Sequence, residues 1–180
     1  MIKKYLDFIM ERKIHSGKDY EYGCILLYLS FPEFEKCTDL ISGEDLYHPN
    51  EDRYGKECDP HVTIKYGTLP SVSDDQIKEI FNSVKLEDID IKLDGISIFE
   101  GKDFDVVKFK VKSDKLTELN KELSKLPNAD VHPQYNPHIT IAYVNKGCGN
   151  KYVSDDINIS NILKTSIVYS KPNGDKISLV

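Results

Sequence analysis

Runs of alternating apolar residues divide the chain into predicted strands. A nearly continuous apolar run at residues 22–31 ends at Pro32 and predicts a buried strand. Residues 89–112 alternate between apolar and polar positions on both sides of a short break, which is the pattern of a β-hairpin. The segments 161–170 and 175–180 predict a closing hairpin. We therefore expect antiparallel strand pairing.

Between these runs, apolar residues at helical spacing predict two amphipathic helices. Ser73, acidic residues and an apolar stripe reaching Val84 predict a capped amphipathic helix. Ser113 opens a second amphipathic helix, whose leucine stripe ends before Pro127. Mixed helices and antiparallel strands indicate the α+β class.

Three further segments have weaker patterns. Residues 34–41 form an apolar patch of helix length, and residues 1–20 predict an N-terminal extension with a short amphipathic helix. Residues 42–60 carry no regular pattern, and a stretch of that size predicts a flap or a mobile excursion.

An octapeptide occurs twice, as DPHVTIKY at residues 59–66 and NPHITIAY at residues 136–143. Each copy follows a strand and a helical patch, so the chain divides into two similar halves. We predict one bilobal domain over residues 1–180, with two lobes of antiparallel sheet and helices related by an approximate two-fold axis. The two motif strands would face each other across a central cleft.

Strand alternation sorts the side chains of each motif. His61 and Thr63 are predicted to share one face, with Val62, Ile64 and Tyr66 on the other. His138 and Thr140 repeat the pattern, backed by Ile139, Ile141 and Tyr143. Duplication of a core strand explains the shared apolar residues but not the shared polar ones. A functional surface with two imidazoles and two hydroxyls is therefore predicted.

This set of groups suits phosphodiester chemistry. A neutral imidazole can take a proton from an attacking hydroxyl or water, and an imidazolium can protonate the departing oxygen. The hydroxyls of Thr63 and Thr140 can donate hydrogen bonds to the nonbridging oxygens of the phosphate. This chemistry needs no metal or other cofactor, and the sequence does not distinguish the acid from the base.

Composition and charge restrict the partners. The chain has 180 residues, 39% of them hydrophobic, which is enough for a normal core, and it has no apolar run of membrane-spanning length. A net charge of −6 argues against binding long DNA or other long nucleic acid, while a small phosphate-bearing ligand remains compatible. Four widely spaced cysteines, no signal-peptide pattern and no compact zinc-ligand spacing predict a cytoplasmic protein without a metal site.

The paired HVTI and HITI motifs, each preceded by Pro, resemble those of the 2H phosphoesterases, which include 2′-5′ RNA ligase-like proteins and cyclic phosphodiesterases. QYNPHITIAY is similar to bacteriophage members, among them anti-CBASS nucleases, for which the compartment would be the host cytoplasm. The resemblance implies a bilobal α+β fold and metal-independent cleavage of phosphodiesters beside a ribose hydroxyl. It assigns His61 and His138 as acid and base and Thr63 and Thr140 as phosphate ligands.

Four further residues are candidates for substrate binding. The chain has no tryptophan, so we expect a base to stack on Tyr135, Tyr47 or Tyr54. Lys65, which alternation places on the exposed face beside Thr63, would supply positive charge near the phosphate. The leading hypothesis is a phosphodiesterase for a cyclic oligonucleotide or a 2′,3′-cyclic phosphate. The alternatives are processing of RNA ends and a protein that sequesters a nucleotide without cleaving it.

Overall fold

The structure, a computed structural model, describes residues 20–48, 54–132, 134–157, 159 and 161–180. The helix expected within residues 1–20 lies outside the described part of the chain, apart from Tyr20, as does the middle of the predicted flap, residues 49–53.

The described elements follow the predicted order closely. They are β1 (Gly23–Ser30), α1 (Glu33–Asp39), β2 (His61–Thr68), α2 (Asp74–Phe81), β3 (Lys92–Glu100), β4 (Phe104–Lys112), α3 (Asp114–Leu123), β5 (His138–Asn145), β6 (Leu163–Ser170) and β7 (Lys176–Ser178), with short 3-10 turns at Gly43–Asp45, Leu86–Asp88 and Gly149–Tyr152. The sequence β1–α1–β2 recurs as β4–α3–β5, so each motif strand ends a strand–helix–strand unit.

One seven-stranded sheet joins these elements in the order β3-β4-β5-β2-β1-β6-β7. Every neighbouring pair is antiparallel, which confirms the predicted α+β class. The motif strands β2 and β5 are adjacent at the centre of this order, flanked by β1 and β6 on one side and β4 and β3 on the other. The two predicted halves thus share one sheet and meet at the motifs.

Capping side chains explain where two of the helices begin. Ser73 Oγ accepts the backbone N–H of Gln76, and the Gln76 side chain accepts the backbone N–H of Ser73. Ser113 Oγ accepts the N–H of Leu116 at the start of α3. These contacts satisfy N–H groups that the first helical turn leaves without partners.

The main core lies between one face of the sheet and the described helices. Apolar side chains of the central strands pack against the helix side chains there, among them Ile25, Leu27, Val62, Ile64, Phe109, Ile139, Phe34, Ile77, Phe81, Leu116, Leu119 and Leu123. A smaller cluster lies on the opposite face and consists of Cys24, Leu26, Tyr66, Phe104, Val106 and Tyr143. The side chains of both motif histidines lie on this second face of the sheet, away from the helices.

The motif strands touch at one residue pair and then separate. Val62 on β2 lies opposite Ile139 on β5. Beyond that pair, each strand receives the segment that precedes the other motif: Glu57 N–H donates to the Ile141 carbonyl (2.9 Å), and Ala129 N–H donates to the Gly67 carbonyl (2.8 Å). The described ends of the predicted flap are therefore held against β5 by backbone hydrogen bonds.

Gly67 permits the second of these approaches. Its φ is +83°, and a Cβ at this position would lie 2.9 Å from the backbone nitrogen of Asp130. Only glycine combines this backbone conformation with so close a neighbour.

Candidate functional site

The register of β2 and β5 brings the four polar motif residues together. The strands are antiparallel and pair at Val62 and Ile139. When this register is continued by one residue on either side, His61 comes next to Thr140 and Thr63 next to His138. Each histidine therefore neighbours the threonine of the other motif, with the approximate two-fold axis passing between the two apolar residues.

Backbone carbonyls orient both imidazole rings. His61 Nδ1 lies 2.7 Å from the Asp59 carbonyl oxygen, and His138 Nδ1 lies 2.9 Å from the Asn136 carbonyl oxygen. A carbonyl oxygen only accepts, so Nδ1 carries the proton in each ring, and Nε2 is the acceptor when the ring is neutral. A proline follows each of the two residues that supply these carbonyls, and a residue before proline prefers an extended backbone.

The two histidines differ in burial. His138 is 6% exposed, whereas His61 is only partly buried. The pKa of His138 is lowered to about 3, mainly by burial and in smaller part by the positive charges of Lys108 and His61, while the hydrogen bond with Asn136 opposes the shift. His138 is therefore neutral near pH 7. Thr63 and Thr140 are 8% and 4% exposed.

Aromatic rings of β1 and β3 flank the histidines. Tyr28 of β1 lies opposite His61, with ring centroids 5.9 Å apart. Phe99 of β3 meets His138 edge-on at 4.9 Å. The sequence analysis did not identify either ring, because an aromatic residue in an alternating strand is ordinary and nothing in the local pattern signals its partner.

Lys65 does not lie where alternation predicts. In β1, Leu26 pairs with Thr63 but the preceding Ile25 pairs with Lys65, so β2 contains one extra residue at Ile64. Such a β-bulge reverses the alternation. Lys65 consequently points to the helix side of the sheet, where it is buried and its ammonium lies 2.9 Å from Asp130 Oδ2 and 2.9 Å from Ser124 Oγ. The predicted exposure of Lys65 is wrong. Lys65 nevertheless lines the same pocket as Thr63, and its role in substrate binding stays a prediction.

The same bulge occurs in the second motif. Val107 pairs with Ala142 and Lys108 with Thr140, which leaves Ile141 as the extra residue of β5. Tyr66 and Tyr143 therefore belong to the cluster on the histidine side, not to the helix-side core that alternation predicted for them.

A pocket of about 360 Å³ opens beside one half of the site. It lies between the diverging end of β2, α3 and the segment that precedes β5. Its lining includes Thr63, Phe99, Asn120, Asp130, Tyr135 and His138. This volume is within the usual range for small-molecule sites.

The predicted stacking residues separate into two groups. Tyr135 lines the pocket, and its hydroxyl donates to the Thr63 carbonyl at 3.0 Å. Tyr47 and Tyr54 contact each other at a centroid distance of 4.9 Å and pack against Phe104 at 5.0 and 5.4 Å. They belong to the aromatic cluster of the β4–β5 half and do not line the pocket.

Lys108 is a charged residue near the site that the sequence analysis missed. It pairs with Thr140 across β4 and β5, is 6% exposed, and its ammonium lies 4.0 Å from the centroid of Phe99. The alternation of Lys108, Phe109 and Lys110 is that of any strand with one solvent-exposed face, so the sequence gives no sign that Lys108 is buried.

Two further searches concern groups that the site could recruit. Within the part of the chain that the structure describes, no three His, Cys, Asp or Glu side chains form a group that could hold a metal ion. Among the same residues, no helix is long and apolar enough to cross a membrane.

Comparison with known proteins gives one positive result. The family model described as the 2′-5′ RNA ligase superfamily matches residues 41–151, a span that contains both octapeptides. No curated protein matches the chain significantly.

Proposed function

This chain belongs to the 2′-5′ RNA ligase superfamily, and from that premise we propose that it is a metal-independent phosphodiesterase for a small nucleotide. The observation that carries the proposal is the antiparallel contact of the two motif strands at Val62 and Ile139, whose register sets each motif histidine beside the threonine of the other motif on one face of the sheet. Two imidazoles with Nδ1 occupied by backbone carbonyls can act on one phosphorus centre through Nε2.

The difference in burial supports a division of roles. His138 is buried and neutral, so its Nε2 is the base that takes the proton from the attacking 2′-hydroxyl or water. His61, which is more exposed, donates a proton to the departing oxygen. Thr63 and Thr140 donate hydrogen bonds to the nonbridging oxygens, on which charge builds in the transition state.

For a 3′-5′ linkage between ribonucleotides, the 2′-oxygen forms a bond to phosphorus while the bond from phosphorus to the 5′-oxygen breaks. The proton that His138 accepts and the proton that His61 donates leave the net proton count unchanged. The product is a 2′,3′-cyclic phosphate, which water can open by the same steps with the roles of the histidines exchanged.

The pocket and the charge support a small substrate. The pocket beside His138 and Thr63 has room for one nucleoside, and Tyr135 in its wall is the proposed stacking residue. A net charge of −6 disfavours a long polyanion. The finer form of the proposal is hydrolysis of cyclic oligonucleotides, including those that act as immune signals in bacteria.

The test is a mass-spectrometric screen of 2′,3′-cyclic nucleotides, cyclic di- and trinucleotides and RNA ends in the presence of EDTA. We expect turnover that survives the chelator and falls about 10²- to 10⁴-fold in His61→Ala and in His138→Ala. His48→Ala, at an exposed histidine outside the motifs, is the control and should keep full activity.

Three outcomes would contradict the proposal. Activity that disappears with EDTA would show dependence on a metal, and activity that persists in the double histidine variant would remove the motifs from the reaction. Tight binding of a nucleotide that stays intact would instead indicate a sequestering protein. A 2′-deoxy cyclic dinucleotide separates the routes, since it lacks the internal nucleophile and should resist cleavage.

A further inference from the structure

The side chain of Lys108 is a buried cation with little to balance its charge. Its ammonium donates to Ser97 Oγ at 2.9 Å and lies over the face of Phe99. In the described part of the chain, no carboxylate is paired with it. A buried charge without an opposite partner is costly, and proteins retain such groups mainly where function needs them.

The approximate symmetry of the sheet shows that packing does not require this lysine. Thr140 pairs with Lys108 on the neighbouring strand, and Thr63 pairs with Leu26 at the equivalent place in the other half. Leu26 is fully buried. An apolar side chain therefore satisfies the fold in one half, whereas the other half carries a charge at the corresponding position.

Lys108 also lies within reach of the candidate phosphate site. Residues paired across antiparallel strands have Cβ atoms about 4.5–5.5 Å apart, which is less than the length of a lysine side chain. The Phe99 ring below the ammonium contacts His138, and the charge of Lys108 is one cause of the lowered pKa of that histidine. The contact with Ser97 satisfies one of the three ammonium donors.

We propose that Lys108 is the counter-charge of an anion site at Thr140 and His138, where its ammonium binds the phosphate of the substrate. The inference rests on the proposed function for the identity of the anion, but the site itself can be tested without turnover. In the absence of anion the ammonium lies on Ser97 and Phe99; a bound phosphate offers it stronger, charge-assisted hydrogen bonds. The burial that lowers the pKa of Lys108 to about 8 still leaves it mostly protonated at pH 7.

The experiment is a titration with inorganic phosphate near pH 7, followed through the amide NMR signals of His138 and Thr140. We expect saturable binding to the wild-type protein and binding about ten- to a hundredfold weaker in Lys108→Met, the range for one hydrogen bond to a charged group. The control is Lys112→Met, which removes an exposed lysine at the end of β4. Its ammonium is paired with Asp94, away from His138 and Thr140, and its loss should change the affinity less than about threefold.

Thermal unfolding provides the second measurement. Lys108→Met removes an uncompensated buried charge, so we expect it to be as stable as the wild type or more stable. If methionine fits badly, Lys108→Leu repeats the test with the side chain that the other half uses. Lower stability of both variants together with unchanged phosphate binding would show a structural role and overturn the inference.

Three other results test this inference, and two of them separate it from the proposed function. Wild-type protein that shows no saturable phosphate binding at these signals would overturn the anion site. If diesters are cleaved but Lys108→Met keeps the wild-type kcat/KM, the inference fails and the proposed function stands. If phosphate binds as expected and no diester is cleaved, the anion site stands and the proposed function fails.

Discussion

At the scale of single residues, two histidines with the same sequence context have different surroundings. Each follows a proline and precedes an apolar residue and a threonine, and each ring meets the carbonyl two residues before it. His138 nevertheless lies under Phe99 and is buried, while His61 is partly open beside Tyr28. The motif predicts which residues act, but the division of roles depends on neighbours from other strands that the motif does not contain.

The lowered pKa of His138 predicts a dependence of stability on pH. Its folded pKa lies near 3 and below the ordinary value of 6.5, so the unfolded chain binds a proton more readily. The contribution of His138 is therefore fully present above about pH 6.5 and is lost as the pH falls toward about 3. Urea unfolding should show the free energy of unfolding decreasing more steeply below about pH 6.5 in the wild type than in His138→Gln.

The carboxylates titrate alike in the two proteins, so the comparison isolates the histidine. Equal slopes for the wild type and His138→Gln would show that the folded protein protonates this ring as easily as the unfolded chain, and would remove the argument that assigns His138 as the base.

At the scale of elements, the two β-bulges decide which side chains the site receives. Alternation correctly places His and Thr of each motif on one face, since the extra residues Ile64 and Ile141 come after them. It fails from Lys65 onward. A branched aliphatic residue inside a strand gives no sign that it is a bulge, and the reversal becomes visible only from the pairing of neighbouring strands.

The reversal of Lys65 predicts a structural role that a double-mutant cycle can measure. Lys65→Met removes the cation from Oδ2 of the partly buried Asp130 carboxylate, whose Oδ1 keeps its contacts with His132, and should reduce the free energy of unfolding by about 1–3 kcal/mol. Adding Asp130→Asn should recover part of that loss. Lys112→Met, which breaks the exposed pair with Asp94, is the control and should cost about 0–1 kcal/mol.

A Lys65→Met protein of unchanged stability that binds phosphate poorly would restore the role that alternation suggested for Lys65.

The helices, in contrast to the bulges, were predictable because their signals are local. Ser73 and Ser113 cap the helices that the sequence analysis began at those residues, and no contact distant in sequence is needed to find them.

At the scale of the whole molecule, the halves are joined where the chemistry is proposed to take place. Apart from the short edge strand β7, the strand order is symmetric about the contact of Val62 with Ile139. The octapeptide repeat made this symmetry predictable from sequence. The pocket was not predictable, because it depends on how β2 diverges from β5 and on α3 and the segment before β5 that form its walls.

A small nucleotide substrate predicts a shallow dependence of binding on salt, because it offers few phosphates to contact. A ligand that makes one or two phosphate contacts should lose less than about tenfold in affinity between about 50 mM and about 200 mM salt, because each contact to a single strand contributes a slope of only about −0.7. Fluorescence anisotropy with a labelled dinucleotide and a labelled single-stranded RNA would measure it. A loss of about 10³-fold or more for the RNA would favour processing of RNA ends.

The carbonyls that orient the two imidazoles are part of the main chain, so the orientation of the rings does not depend on the side chains at those positions. Asp59 supplies one carbonyl and Asn136 the other. The main-chain oxygen can orient the ring whether the residue carries a carboxylate or an amide side chain. A substitution at Asp59 or Asn136 could therefore change the charge near the site without removing the hydrogen bond that orients the ring. Pro60 and Pro137 lack that latitude, because they shape the backbone itself.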